Sequence, residues 1–318
     1  MRRLNEQLAE LEKLAVPLTA RPDFQAFWQA ALARVKNEPL GAQYREGASP
    51  FPGVRAFDVV FLGLDGTPVH ARLLLPTAQP GGKLPCVLRF HGSSGSRGTV
   101  ADHAAWLLSG TAVLAMDYRM QGGQTGSNTG FTGGPVYDEF VFGVAEPTSF
   151  YFYHVITDAL RLIELALAHA EIDPRRLAVE GASQGGGTSL TLAALHPAVS
   201  LCLADMPSFC DMERRLFYRT GGARAVAELI TRRPEMLETV CATFSYFDNL
   251  NHAASIRCPV LLSVGLKDDV CSPENVYAVY NRITVEKRIE VYPFAGHCDA
   301  GPLQLEKKLY ALRARFCM

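Results

Sequence analysis

The sequence predicts an α/β protein, a mostly parallel central sheet flanked by helices, with a helical extension at its N-terminus. Three observations predict it. From Cys86 onward, short apolar segments of strand length alternate with longer helical ones. Ahead of them, residues 54–62 and 68–75 follow a period of two and are joined by Leu64-Asp65-Gly66-Thr67, a hairpin turn signal. Residues 176–190 set a sharp glycine–serine turn between a strand and a helix.

Taken in order, residues 1–14 carry Leu4, Leu8, Leu11 and Leu14 on one helical face, a packing or subunit-contact element. Pro22 and Asp23 open a second helix, in which Phe24, Phe27, Trp28, Ala31, Leu32 and Val35 form a core-facing stripe. After the hairpin, a Pro/Gly linker at Pro76–Pro85 leads to the apolar strand Cys86–Phe90. A helix is expected near 100–109 and a strand at 111–117. Residues 122–134 hold too many glycines for regular structure and read as a mobile loop or lid. Then come a long helix at 148–170, the glycine–serine turn, strand 199–204 and a mixed helical stretch. Strand 258–264, helix 273–282, strand 288–292 and helix 302–316 complete the chain. Strands alternating with helices give βαβ units and hence a parallel sheet. With no internal repeat and no clean boundary, the 318 residues read as one domain, with residues 1–50 as the helical extension and 210–255 inserted as a cap or interface segment.

Composition excludes several functions. A net charge of −1, with no basic run interleaved with aromatics, gives no field for nucleic acid or an anionic membrane. The longest apolar region, Ala104–Ala115, is broken by Ser109-Gly110 and is too short to span a bilayer. The N-terminal Met-Arg-Arg-Leu-Asn-Glu has no apolar stretch behind the arginines and does not read as a signal peptide. The eight cysteines (Cys86, Cys202, Cys210, Cys241, Cys258, Cys271, Cys298 and Cys317) form no CxxC pair and no Cys/His cluster with zinc spacing, so no metal site is expected. Most lie in apolar runs, as buried reduced thiols of a cytoplasmic protein would.

The organising stretch is Gly181-Ala182-Ser183-Gln184-Gly185, preceded by the strand residues Leu177, Ala178 and Val179 and followed by a helix to about Leu195. This is the G-x-S-x-G nucleophile elbow. A serine on so sharp a turn is strained, and its neighbours two positions away must lack side chains. Serine is a poor nucleophile at neutral pH, so it needs a base, and the base needs a carboxylate to fix its tautomer. In α/β-hydrolases these follow in the order Ser, Asp/Glu, His. Well downstream of Ser183 stand His252 and His297. His297 lies just past a strand and before the last helix, where a site at the sheet's C-terminal edge belongs; His252, in a polar loop, reads as a surface residue. After the intervening strand, Lys267-Asp268-Asp269 offers two carboxylates. Asp268 is the expected triad member and Asp269 the alternative, a cap for the helix near Pro273. Asp205, Asp211 and Asp248 read as loop or cap residues. Two donors must also face the developing oxyanion. One is the Gln184 N–H. The other is expected from His91-Gly92-Ser93, which resembles the HGGG-type loop, as the Ser93 N–H, with His91 holding the loop by a hydrogen bond.

Together these residues resemble the acetyl xylan esterase/cephalosporin C deacetylase family, the seventh carbohydrate esterase family. The resemblance covers nearly the whole chain. It runs from Arg21-Pro22-Asp23-Phe24-Gln25-Ala26-Phe27-Trp28 through Leu84-Pro85-Cys86-Val87, Gly95-Ser96-Arg97-Gly98 and Asp158-Ala159-Leu160-Arg161. It continues in Ser183-Gln184-Gly185-Gly186-Gly187, Ser245-Tyr246-Phe247-Asp248 and Val264-Gly265-Leu266-Lys267-Asp268. The family's R-G-Q motif stands here as Arg119-Met120-Gln121 and its H-E motif as His297-Cys298; its usual tyrosine after His-Gly is Ser93. Methionine tolerates positive φ less well than glycine, which predicts a differently shaped loop at 119–124. The resemblance implies an α/β-hydrolase fold, no cofactor, and release of acetate from acetylated sugars and cephalosporin C by Ser183, Asp268 and His297. It implies that Arg119 and Gln121 brace the active-site loops. It also implies a hexameric ring whose sites face a central cavity and admit small-molecule esters. Two rival readings of the residues are a serine peptidase of the prolyl-oligopeptidase kind and a non-catalytic scaffold. The first usually carries a propeller, for which this chain has no room.

Overall fold

The computed structural model describes residues 2–77, 82–131, 136, 138–218, 220–297 and 301–318. In chain order the strands are β1 (Gln43–Gly47), β2 (Val54–Leu62), β3 (Pro68–Pro76), β4 (Leu84–Phe90), β5 (Ala112–Met116), β6 (Ile172–Ala182), β7 (Val199–Asp205), β8 (Val260–Gly265) and β9 (Lys287–Tyr292). The helices are α1 (Arg2–Glu12), α2 (Phe24–Asn37), α3 (Ala104–Leu108), α4 (Tyr151–Ala168), α5 (Gln184–Leu195), α6 (Met212–Arg215), α7 (Gly221–Arg232), α8 (Leu237–Phe247), α9 (Asn249–His252), α10 (Pro273–Tyr280) and α11 (Pro302–Phe316).

Among the described residues the strands form one sheet in the order β1-β2-β3-β5-β4-β6-β7-β8-β9. The β2–β3 hairpin turns at Gly63–Thr67, closed by the Gly63 N–H on the Thr67 carbonyl at 2.8 Å. The pairs from β5–β4 to β8–β9 are parallel. Strands β4, β5 and β8 are apolar nearly throughout because helices cover both faces. One core packs α2, α4, α5 and α10 against one face. On the other face a smaller core holds Trp106 and Leu107 of α3 with Leu312 and Phe316 of α11. The architecture is the α/β sandwich expected from the alternation.

The differences have physical causes. The extension is not helical throughout, since Gln43–Gly47 pairs antiparallel with β2. Every residue of β1 is exposed, so this edge strand carries no apolar alternation to announce it. Helix α4 starts at Tyr151, and residues 138–150 form turns that bury Val141, Phe142 and Val144. His252 is not on the surface. It is buried among Phe24 and Trp28, and its Nε2–H donates to the Tyr246 carbonyl at 3.0 Å. Burial pushes this imidazole down to about 4, so it is neutral. Asp205 is not a loop residue. It ends β7, buried, with Lys308 and Gln304 of α11 donating to its carboxylate at 2.6 and 2.7 Å. Asp248 does cap, its side chain accepting the Leu250 N–H at 2.9 Å.

Residues 210–255 hold α6 to α9 and fasten to the N-terminal part of the chain. Trp28 donates to the Tyr246 carbonyl at 2.9 Å, and Tyr246 donates to Asp23 at 2.6 Å. Among the described residues no helix is long and apolar enough to cross a membrane.

Candidate active site

Strand β6 delivers its last residue to a turn in which Ser183 has φ 56° and ψ −118°. A side chain rarely accepts this conformation, and the surroundings hold it there. The Ser183 N–H donates to the Asp205 carbonyl at 2.9 Å, and the Ser183 carbonyl accepts from Gly187 and Ser208 at 3.0 and 2.8 Å. A Cβ on Gly181 would lie 2.5 Å from the Phe90 carbonyl oxygen, and one on Gly185 only 2.0 Å from it. The glycines on either side of the serine are therefore steric requirements of the close approach of the β6–α5 turn to the end of β4.

The loops after β8 and β9 bring two further groups to that hydroxyl. The His297 Nε2 stands 3.0 Å from the Ser183 Oγ, and its Nδ1 stands 2.9 Å from an Asp268 oxygen. The other Asp268 oxygen accepts the Val270 and Cys271 N–H groups, each at 2.8 Å. A buried carboxylate facing Nδ1 holds the proton there and leaves Nε2 free to accept from the serine. The two loops are tied by the Lys267 N–H on the Ala295 carbonyl at 3.0 Å. Asp269 is exposed, and the cap of α10 is Ser272.

The loop after β4 lies against the serine. A Cβ on Gly92 would sit 3.9 Å from the Ser183 Cβ. His91 braces this loop: its Nδ1–H donates to the Gly92 carbonyl at 2.6 Å and its Nε2 accepts the Tyr118 N–H at 3.0 Å. Burial lowers the pKa of His91, favouring the neutral ring that this pairing requires. Gln184 opens α5, so its N–H has no acceptor within the helix, and the helix dipole adds to it. The Ser93 Oγ donates to Glu139 at 2.6 Å, a contact that sequence reasoning missed.

Behind the loop, Gln121 accepts the Ser94 N–H at 2.9 Å and donates to the Tyr151 hydroxyl at 2.9 Å and the Gln184 side chain at 3.2 Å. Tyr151 in turn donates to the Arg119 carbonyl at 2.5 Å. The Arg119 guanidinium is fully buried and forks onto Asp158 at 2.6 and 2.9 Å and onto Asp65 at 2.7 and 2.9 Å. Arg119 and Gln121 thus join the hairpin, α4 and the site loops.

The lid expected over 122–134 is fastened in its described part, 122–131. Asp117 accepts the Gln124 N–H at 2.9 Å, the Thr125 hydroxyl accepts the His70 N–H at 2.9 Å, and Thr129 donates to Asp65 at 2.6 Å. Glycines leave the loop irregular, but the buried Asp117 and the half-buried Asp65 at its root hold it. Residues 132–134, like Cys298, lie outside the described residues. Met120 adopts a left-handed backbone with φ 56°, so the methionine carries strain there. Met120→Gly should relieve about 1–2 kcal/mol of that strain against about 0.5–1 kcal/mol of added chain entropy. The expected net gain, up to about 1.5 kcal/mol, would be read as a raised urea midpoint. Among the described residues no His, Cys, Asp and Glu cluster is arranged to hold a metal.

The family model described as acetyl xylan esterase (AXE1) matches residues 1–314. The chain is 28% identical over 308 residues to the acetyl esterase Axe7A of Xylanibacter ruminicola, covering 94% of this chain and 68% of that one. An acetyl xylan esterase structure from a Paenibacillus species superposes with a TM-score of 0.92 at 33% identity, covering 97% of this chain and 99% of that one. For acetyl xylan esterase 1 of a Thermoanaerobacterium species the TM-score is 0.90 at 30% identity, with 96% and 98% covered. Sequence and architecture agree, and the chain belongs to the acetyl xylan esterase family of α/β-hydrolases, enzymes that hydrolyse esters.

Proposed function

We propose that the chain removes acetyl groups from small acetylated carbohydrates, and from cephalosporin C-like esters, through a covalent acyl-enzyme on Ser183. The observation that carries this reading is the single imidazole bridging the Ser183 hydroxyl and the buried Asp268. The Ser183 Oγ attacks the ester carbonyl while the His297 Nε2 takes its proton. Asp268 holds the imidazole in position and stabilises its cation. The Ser93 and Gln184 N–H groups receive the oxyanion. His297 then protonates the leaving alkoxide, and water activated by the same imidazole releases acetate.

The test is a kcat/KM series on p-nitrophenyl esters from acetate to octanoate, beside acetylated xylobiose and cephalosporin C. Rates should fall steeply beyond the shortest acyl groups; a flat or rising profile defeats the small-acyl assignment. A fluorophosphonate should add one mass increment at Ser183, whereas an inert scaffold would stay unlabelled. We also propose a homohexamer in the cytoplasm. The location is supported by Cys86, Cys202, Cys210, Cys241, Cys258, Cys271 and Cys317 all being free thiols. The hexamer rests on family likeness, and a solution mass below six chains would refute it.

A further inference from the structure

We propose that Glu139 sets the charge preference of this site, disfavouring esters that carry an anion beside the reacting bond and so favouring neutral acetylated saccharides over cephalosporin C. The proposal rests on the reading of Ser183 as nucleophile and the Ser93 N–H as oxyanion donor. Ser93 stands where the family resemblance leads one to expect tyrosine. Its small side chain leaves room for a carboxylate, and its Oγ donates to the Glu139 Oε1 at 2.6 Å. One residue therefore presents its N–H to the reacting oxygen and its hydroxyl to a carboxylate. Gly92, the preceding residue, packs against Ser183. Glu139 is half-exposed, and among the described residues no cation comes within ion-pair distance of it. The Glu139 Oε2 has no hydrogen-bond partner among the described residues and can accept from a substrate hydroxyl.

The other charges nearby do not cancel it by contact. Asp138, its chain neighbour, is acidic too, and burial followed by the Glu139 charge pushes its carboxyl up. Arg215 is a buried cation packed against Phe140, the residue after Glu139. Its guanidinium lies over the Phe140 ring at 5.6 Å and donates to the Ser208 Oγ at 2.5 Å. Lys267 and Asp269, on the Asp268 loop, are exposed and opposite in sign. An anionic substrate group therefore meets a carboxylate with no ion-pair partner among the described residues, while the buried Arg215 guanidinium is already engaged by Ser208 and the Phe140 ring. In the cephem ring the carboxylate sits on the carbon adjoining the one that bears the acetoxymethyl group, so it cannot be held away from the reacting centre.

The experiment compares p-nitrophenyl acetate with an acetoxynitrobenzoate, which has the same acyl group and a nitrophenol leaving group but carries a carboxylate. Wild type, Glu139→Gln, Glu139→Lys and Ser183→Ala are assayed at low and high salt, with cephalosporin C as a third ester. Glu139→Gln keeps an acceptor for Ser93 and removes only the charge. The ratio of kcat/KM for neutral over anionic ester should fall about three- to tenfold in Glu139→Gln, and further in Glu139→Lys, for charges several ångströms apart near the surface. Salt should speed the wild type on the anionic esters and leave Glu139→Gln unchanged. A ratio constant within about twofold across all three charge states would overturn the proposal. So would a wild-type rate on the anionic ester that falls with salt, which would give control to Arg215. Hydrolysis of neither ester by wild type, or of both by Ser183→Ala, would overturn the underlying reading and this proposal with it.

Discussion

An Asp268→Asn enzyme is expected to fold normally and to lose about 10⁴ in kcat on p-nitrophenyl acetate. The reason lies in how the two carboxylate oxygens are used. One accepts the Val270 and Cys271 N–H groups, and an asparagine must keep its carbonyl oxygen there because an amide NH₂ cannot accept. Its NH₂ is thereby turned toward the His297 Nδ1, where the wild type has an acceptor. The imidazole then carries its proton on Nε2, the atom that must receive the serine's, and the base is lost without displacement of a single heavy atom. Ser183→Ala and His297→Ala should cost at least as much, and the double variant little more than either, because the groups act as a unit. The thermal midpoint of Asp268→Asn, measured beside kcat, separates this from unfolding. A loss below tenfold with the fold intact would remove Asp268 from the role assigned to it.

How much of this was legible in the sequence depends on whether a residue's role is set by local order or by distant packing. The elbow was legible because strand, glycine spacing and helix are contiguous, and the order Ser183, Asp268, His297 follows from where parallel strands end. The Asp205–Lys308 pair was not. Each side chain looks ordinary in its own segment, and only the return of α11 beneath β7 makes both buried. His252 was misplaced because its neighbours Asn249 and Asn251 look like solvent-facing loop, whereas Asn249 bonds to Thr191 and Asn251 to Thr19. Strand β1 was invisible because an exposed edge strand needs no apolar residue. Glu139 was missed for a related reason. It lies in turns between a glycine-rich segment and α4, where no periodicity assigns a side chain a direction.

Arg119→Met should destabilise the protein by about 3–5 kcal/mol, the range for breaking a buried ion pair from one side. Asp158 is wholly buried on α4, and its two oxygens both accept from the guanidinium. In the intact protein burial already pushes the Asp158 carboxyl up against the pull of Arg119, and without the cation only the upward push remains. A carboxyl whose folded pKa exceeds its unfolded value of about 4 is best tolerated below that value, so stability is lost as pH rises past it. The deficit of Arg119→Met should therefore be larger at about pH 8 than at about pH 5. Asp65 works in the opposite sense. Burial, the largest single influence, would raise it, but the hydrogen bonds from Arg119 and Thr129 and the Arg119 charge together outweigh burial and hold it well below the usual carboxylate range, a stabilisation fully present above about pH 4 and lost progressively as pH falls toward the lowered value. Urea unfolding at these two pH values tests the Asp158 sign, and a further measurement at about pH 3 tests the Asp65 sign. Adding Asp158→Leu to Arg119→Met should recover much of the loss, since no buried charge is then left unpaired. Activity should fall more than stability alone explains, because the Arg119 carbonyl positions Tyr151, Tyr151 positions Gln121, and Gln121 holds the Ser94 N–H beside the proposed oxyanion donor. A deficit below about 1 kcal/mol, or one independent of pH, would mean that Asp158 finds another partner and that Arg119 is not what joins the hairpin to the site.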